Sequence, residues 1–221
     1  KSSYKNHIKM SGYLTLKGQT EITNVIERSK FICTIKSVEN EEEAKEFIEE
    51  IRKKHSLATH NCYAYVADEL GLIQKFSDDG EPQGTAGLPM LNVLKNVGLK
   101  KVACVVTRYF GGIKLGAGGL VRAYSGAVSD CVKNAQIFEM TKVVFLELQT
   151  DYEGYSKLDN LLTKLDVPKV DLIFDNDVKV KVAVKVESQD SEREFTDKLL
   201  DVFKGKDLVK SKEYGYFAFK V

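Results

Sequence analysis

The chain has 221 residues, of which 43% are hydrophobic and 29% are charged, and its formal net charge is +1. This length suffices for one large hydrophobic core or two small ones. The near-zero charge gives no evidence of DNA binding, and no apolar run approaches the roughly 20 residues that span a bilayer. No signal-peptide pattern is present, so we expect a cytoplasmic protein with no membrane partner.

Periodic and alternating apolar residues predict the elements of the first half. Asn40 followed by three glutamates is typical of a helix start, because asparagine caps the helix and acids favour its positive end. The predicted strands are 13–16, 21–38 with a polar interruption at 27–30, 60–66, 72–76 and 102–109. Predicted helices follow Asn40, cover 85–97, and run from the glycines after residue 110 to about 135.

A second set of elements follows residue 138. Strands are predicted at 143–148, 170–174, 178–186 and 209–219, and helices at 154–165 and 191–203. The order β-α-β-β-α-β is that of a ferredoxin-like domain. The sequence therefore predicts an α+β protein with two domains, 10–137 and 138–221.

Four scattered cysteines lie among apolar neighbours: Cys33, Cys62, Cys104 and Cys131. There is no CxxC pair, which argues against a structural zinc site. His60 and Cys62 share one face of a predicted strand, as metal ligands would, but no second pair accompanies them. We therefore expect buried, reduced thiols and neither a metal nor a cofactor.

The most specific stretch surrounds the strongly apolar strand 102–109. It contains GEPQGTAGLP at 80–89 and TRYFGGIKLGAGGLVRAY at 107–124. Residues 68–81 carry five acids and one lysine, whereas residues 95–133 carry seven bases and one aspartate. We call residues 77–87 the acidic loop and residues 108–122 the glycine segment. Rigid loops rich in glycine and charge are typical of binding sites.

These two motifs resemble the signature of the IMPACT/YigZ family. The resemblance covers roughly residues 12–221 and implies a two-domain bacterial protein of poorly defined activity. It also implies a first domain similar to a small-subunit ribosomal protein and domain IV of elongation factor G, followed by a ferredoxin-like domain. Eukaryotic members regulate translation during amino-acid starvation through an added N-terminal domain, which contacts the activator of an initiation-factor kinase. No such domain fits before Met10, so we do not expect that partner here.

The glycine segment has two interpretations. As an anion site, it would offer backbone N–H groups, a helix N-terminus and the charges of Lys114 and Arg122. As a tight strand-to-helix turn, it would need glycine only to relieve packing. The motif GxxxxGK[ST] is absent, so it is not a Walker loop. The candidate anion- or nucleic-acid-binding residues are Arg108, Tyr109, Gly111, Gly112, Lys114, Gly116, Gly118, Gly119 and Arg122.

Arg108, next to Tyr109 and Phe110, suits phosphate contact and base stacking with single-stranded RNA. Alternatively, it pairs with an acid of the acidic loop, and the aromatic rings lie in the core. We expect Arg108 to lie outside the apolar faces, so that its removal leaves folding intact.

The acidic loop has a catalytic and a structural interpretation. Its carboxylates suit metal binding or acid–base chemistry, but Asp-Asp-Gly-Glu-Pro is also ordinary turn chemistry. The chain supplies no clear nucleophile, so no catalytic residue and no metal ligand are assigned. The loop residues assigned to the site are Asp78, Asp79, Glu81, Gly84 and Thr85.

The sequence predicts an accessory protein that binds RNA or the ribosome in translation control. The site would be a cleft between the acidic loop and the glycine segment. One alternative is an enzyme acting on a phosphorylated small molecule or nucleotide in that cleft, which we favour less. Another is a protein-interaction module with a partner in translation control.

Overall fold

The computed structural model describes residues 12–220. The chain divides into two compact units, Tyr13–Phe138 and Glu139–Phe219, with Gly12 assigned to the second. The predicted domain boundary lies one residue before this division. The independence of the two parts as domains stays a prediction. Residues 10–11 of the predicted first domain lie outside the described residues.

The first nine elements of the described chain are β1 (Gly12–Leu16), β2 (Gln19–Ile26), β3 (Ser29–Ser37), α1 (Glu41–Lys54), β4 (His60–Val66), β5 (Gln74–Ser77), α2 (Gly87–Val97), β6 (Val102–Tyr109) and α3 (Gly116–Asn134). The N-terminal unit is built on an antiparallel sheet with the strand order β2-β3-β6-β4-β5. Its central strand is β6, whose register places Arg108 between Phe31 of β3 and His60 of β4.

Helices cover both faces of this sheet. Apolar residues of α2 and α3 pack with β3, β4 and β6 in the main core, whereas α1 packs on the opposite face. The predicted cap of α1 is confirmed, because Asn40 accepts a hydrogen bond from the backbone of Glu43 at 2.9 Å. Strand β6 is therefore buried from both sides along almost its whole length.

Two element boundaries differ from those predicted. Helix α2 begins at Gly87 rather than at 85, because the hydroxyl of Thr85 donates to the carbonyl of Pro82 at 2.6 Å and closes a turn. The polar interruption predicted at 27–30 is a two-residue turn at 27–28, and β3 already begins at Ser29. Glu27 and Arg28 adopt positive φ angles of 46° and 63° there.

The C-terminal unit has the predicted β-α-β-β-α-β order. Its elements are β7 (Ile137–Thr150, which begins in the N-terminal unit), α4 (Tyr152–Lys164), β8 (Lys169–Phe174), β9 (Val178–Lys185), α5 (Ser191–Val202) and β10 (Val209–Lys220). The strands lie in the order β10-β7-β9-β8, and α4 and α5 contribute to one core with them. The predicted α+β class is confirmed.

Candidate functional site

Asp78 of the acidic loop acts as a structural cap. One carboxylate oxygen accepts hydrogen bonds from the amides of Ala86 and Gly87 at 3.0 and 2.8 Å, and the other accepts from Gly84 at 2.8 Å. These amides lead into α2, whose first N–H groups lack partners within the helix. Asp78 therefore shapes the loop and is not oriented as a metal ligand.

Asp79 is also used inside the protein. It accepts a hydrogen bond from the backbone of Asn61 at 2.6 Å and pairs with Arg52 at 3.3 Å. Its own carbonyl lies 2.8 Å from Nδ1 of His60. The thiol of Cys62 donates to the carbonyl of Asp78 at 2.9 Å. His60 and Cys62 thus fasten the acidic loop to β4, and no group of three or more potential ligands within residues 12–220 is placed to hold a metal.

Glu81 and Arg108 form a buried ion pair. Their side chains are 3% and 6% exposed, and Nη1 of Arg108 lies 2.6 Å from Oε1 of Glu81. The hydroxyl of Tyr124 donates to the same oxygen at 2.7 Å. Oε2 of Glu81 lies 3.9 Å from Nε2 of His60. The acidic loop, β6 and α3 therefore meet at one carboxylate.

This geometry corrects the expectation for Arg108. The residue lies in the interior, with its guanidinium near the rings of Phe31 and Phe110, at 5.3 and 5.4 Å from their centroids. The acidic loop and the glycine segment touch here, where the sequence predicts a cleft. Arg108 is not available to a nucleic-acid backbone, and the premise that it lies outside the apolar packing is wrong.

Burial around this carboxylate shifts two neighbouring groups. Burial raises the pKa of Tyr124 far above its ordinary value, and the nearby Cys62 and Glu81 act in the same direction. Burial also raises the pKa of the Cys62 thiol to about 12. Both groups stay protonated in the folded protein near neutral pH, so Cys62 is a poor nucleophile.

The aromatic residues that follow Arg108 have different surroundings. The hydroxyl of Tyr109 lies 3.0 Å from Nδ1 of His55, and the two rings meet edge to face. Phe110 is 47% exposed, and its amide donates to the hydroxyl of Thr59 at 3.1 Å. Tyr109 is therefore engaged within the unit, whereas Phe110 presents its ring to solvent.

The glycines of the segment serve several purposes. A Cβ on Gly111 would lie 2.0 Å from the backbone carbon of Arg28, so the β2–β3 turn can pack there only against glycine. Gly112 and Gly116 have φ angles of 86° and 68°, which favour glycine, and face open space. Gly118 is also exposed. Close packing thus explains Gly111, and backbone conformation explains Gly112 and Gly116, whereas neither explains Gly118.

Helix α3 begins at Gly116 without a side-chain cap and with no acid in its first turn. Gly119 is partly buried against Leu115, and Lys114 and Arg122 are exposed. Among the described residues, neither cation pairs with a carboxylate. The structure therefore brings the helix start and two free cations together, as the anion interpretation requires.

Sequence reasoning missed Arg28. This exposed residue sits on the β2–β3 turn, whose backbone packs on Gly111, and it makes no ion pair with a described residue. A left-handed backbone usually selects glycine or asparagine, and the Glu-Arg pair lacks that signal. Only the fold places this cation beside the glycine segment.

The chain was compared with known proteins. The Impact N-terminal domain model matches residues 27–132, which include both motifs. IMPACT family member YvyE of Bacillus subtilis is 41% identical over 207 residues, covering 94% of each chain. The chain belongs to the IMPACT family. YigZ, the family member of Escherichia coli, is 35% identical over 198 residues, covering 89% of this chain and 96% of that protein.

The chain is also similar to a solved structure that is described as a hypothetical protein. It has a TM-score of 0.58 and 32% identity, and the match covers 96% of this chain and 99% of that one. In the described part of our chain, no helix has the length and apolar character needed to cross a bilayer. The motifs at 80–89 and 107–124 both lie in the N-terminal unit, and each contributes one residue of the Glu81–Arg108 ion pair.

Proposed function

We propose that this IMPACT-family protein binds single-stranded RNA, in a role in translation control, through an exposed surface around the start of α3. We call this the cationic surface; it comprises Arg28, the stretch 111–119, and Arg122. It replaces the predicted cleft and does not include Arg108, which is buried. The observation that carries the proposal is a helix start rich in glycine, uncapped, and flanked by cations without acidic partners.

The backbone provides the first attraction for phosphate. The first four N–H groups of a helix have no intrahelical partner, and the helix dipole places positive charge there. At Gly116 even a Cβ would meet nothing within 4 Å, so an oxygen atom has room to approach. Phosphate oxygens commonly bind at such helix starts.

Side chains provide the second attraction. Lys114 precedes the helix, Arg122 lies within its second turn, and Arg28 comes from a separate turn. Cations from separate chain segments suit a polymer with repeated phosphates better than a single ion.

The acidic loop does not oppose this attraction. The carboxylates of Asp78 and Asp79 accept backbone hydrogen bonds, and Glu81 is neutralised by Arg108. These three carboxylates therefore have their partners inside the N-terminal unit, and the exposed acid nearest to the surface in the chain is Glu27, next to Arg28.

One contact favours the alternative of an enzyme on a phosphorylated small molecule or nucleotide. Nδ1 of His60 lies 2.8 Å from the carbonyl of Asp79, and its Nε2 lies 3.9 Å from Oε2 of Glu81. An imidazole beside a carboxylate is an arrangement that general acid–base catalysis uses. Its distance of 3.9 Å and the absence of an activated nucleophile at Cys62 make this the second candidate.

The test is a titration of mixed-sequence single-stranded RNA at several salt concentrations. The logarithm of the affinity should fall with the logarithm of salt by about 0.7 per phosphate engaged. Lys114→Ala and Arg122→Ala should each weaken binding to all sequences and reduce this slope by roughly one contact. For a role in translation control, we expect the protein also to bind ribosomes, and the same substitutions should weaken that binding.

Lys101→Ala is the matched control. Lys101 lies just before β6 and pairs with Glu39 at 3.0 Å. It is roughly 23 Å from the glycine segment, at 3.3 Å per residue of the strand. This variant should bind RNA as the original protein does. Absence of RNA binding at low salt, or equal binding by all three variants, would contradict the proposal.

A further inference from the structure

The exposed ring of Phe110 lies at the edge of the cationic surface. Phe110 directly precedes Gly111 and Gly112, and 47% of it is exposed. Its backbone is fixed by the hydrogen bond to Thr59. The ring is not part of the hydrophobic core clusters of the N-terminal unit, so about half of its surface remains available to a ligand.

Arg108 fixes the orientation of this ring. Its guanidinium carbon lies over the ring, 5.4 Å from the centroid, and is held in turn by Glu81 at 2.6 Å and Ser29 at 3.4 Å. The guanidinium occupies one face of Phe110, so the exposed area lies on the remaining face and the edges. The buried ion pair thus presents a rigid aromatic face to solvent, which lowers the entropy lost when a flat ligand stacks on it.

A cationic surface alone would accept any polyanion. Single-stranded RNA differs from a duplex or a simple polyphosphate because its unstacked bases are free to lie on aromatic side chains. The amides of the α3 start and Lys114 suit phosphates, and Phe110 beside them suits a base.

From this arrangement we infer that Phe110 is the base-stacking platform of the site and selects single strands with unpaired bases. This inference rests on the proposed RNA binding and adds the ligand class. Stacking on an aromatic side chain is sequence-tolerant, because every base has a flat face. Loss of one stacked base weakens binding by about 5- to 100-fold.

The test uses two probes that carry equal numbers of phosphates: a short mixed-sequence RNA and the same strand made of abasic ribose units. The original protein should bind the RNA more tightly than the abasic strand. Phe110→Leu should reduce affinity for the RNA by about 5- to 100-fold with an unchanged salt slope. It should leave affinity for the abasic strand unaltered.

A second variant keeps the test independent of any loss of packing in Phe110→Leu. The chain contains no tryptophan, so Phe110→Trp introduces a unique fluorescent ring. Its emission should be quenched by the RNA and not by the abasic strand. Phe76→Trp is the control, because Phe76 is 41% exposed on β5, outside the cationic surface, and should show no quenching.

The failures are distinguishable. If Lys114→Ala weakens RNA binding but Phe110→Leu does not, the RNA proposal stands and the stacking platform is wrong. If the original protein binds neither strand, both the RNA proposal and the stacking platform are wrong. If uridine monophosphate alone quenches Phe110→Trp as strongly as the RNA does, the ligand is a free nucleotide, which overturns strand selection and favours the enzyme alternative.

Discussion

Glu81 and Arg108 are 27 residues apart in the chain and 2.6 Å apart in space, almost completely shielded from solvent. Each belongs to a different one of the two motifs at 80–89 and 107–124. Tyr124, the last residue of the second motif, adds its hydroxyl to the same carboxylate oxygen. A structural ion pair therefore joins the two motifs.

Removing Arg108 should destabilise the N-terminal unit strongly. Arg108→Ala leaves the Glu81 carboxylate buried with the hydroxyl of Tyr124 as a hydrogen-bond donor and His60 at 3.9 Å, and breaking a buried pair in this way costs about 3–5 kcal/mol. Arg52→Ala is the comparison, because the Arg52–Asp79 pair is about one-third exposed and contributes about 1 kcal/mol or less. Urea unfolding measures both, and equal losses would show that burial does not set the strength of the Glu81–Arg108 pair.

Asp78→Ala should loosen the acidic loop. The substitution leaves the amides of Gly84, Ala86 and Gly87 without their acceptor, and we expect a loss of about 1–3 kcal/mol. Asp78→Asn keeps one carbonyl oxygen for the Ala86 and Gly87 amides, so its loss should be smaller. Hydrogen exchange of these amides gives a local readout, and protection in Asp78→Ala equal to that of the original protein would contradict the capping role.

Stability should decline at alkaline pH. In the unfolded chain a cysteine ionises near pH 8.5 and a tyrosine near pH 10, about the ordinary values, whereas the folded state holds Cys62 and Tyr124 protonated. Above these values the unfolded state binds fewer protons than the folded state, so the free energy of unfolding falls as pH rises. The contribution of Cys62 is complete below about pH 8.5 and is lost toward about 12.

Urea midpoints measured across this pH range provide the check. The double variant Cys62→Ala, Tyr124→Phe should show a shallower decline than the original protein. An identical decline in the two proteins would mean that other groups dominate the alkaline behaviour.

Two glycine substitutions should act in opposite directions. Gly111→Ala forces a Cβ to within 2.0 Å of the Arg28 backbone, so either the β2–β3 turn or the glycine segment must move and the melting temperature should fall. Gly126→Ala, in the interior of α3, meets nothing within 4 Å and should stabilise the protein by about 0.5–1 kcal/mol. A neutral Gly111→Ala would show that the contact with Arg28 is not tight in solution.

Residues 139–221 should fold without the rest of the chain. The residues of the core of the C-terminal unit all lie between 144 and 209, on its own strands and helices. An isolated fragment therefore retains this core, and calorimetry should show a cooperative melt. A melt without a cooperative transition would mean that this core depends on residues outside the fragment.

Local patterns sufficed to predict most helices and strands. Asn40 with its following acids, the apolar stripe of α1 and the alternation of β9 are short-range signals that depend on neighbours a few positions away. For the same reason, the β-α-β-β-α-β order could be predicted. The pairing of strands could not, because β6 joins β3 and β4 through contacts distant in sequence.

The candidate site could be predicted only in part. The glycines and cations of the segment are visible in the sequence, but the partner of Arg108 depends on how the acidic loop folds back over β6. Arg28 had no signal, since its turn lacks the residues that usually mark positive φ angles. The exposure of Phe110 and the contact of its ring with Arg108 depend on tertiary packing, which a sequence pattern does not reveal.

The position of β6 has a consequence for synthesis on the ribosome. Strands β2 and β3 can pair as soon as they emerge, and so can β4 and β5, but the strand that unites them is the last of the five in the chain. Until residue 109 has left the exit tunnel, β3 and β4 each keep an unpaired edge of backbone groups. Such edges invite wrong pairing with other nascent chains. Slowing translation shortly after β5 should therefore increase aggregation of the newly made protein.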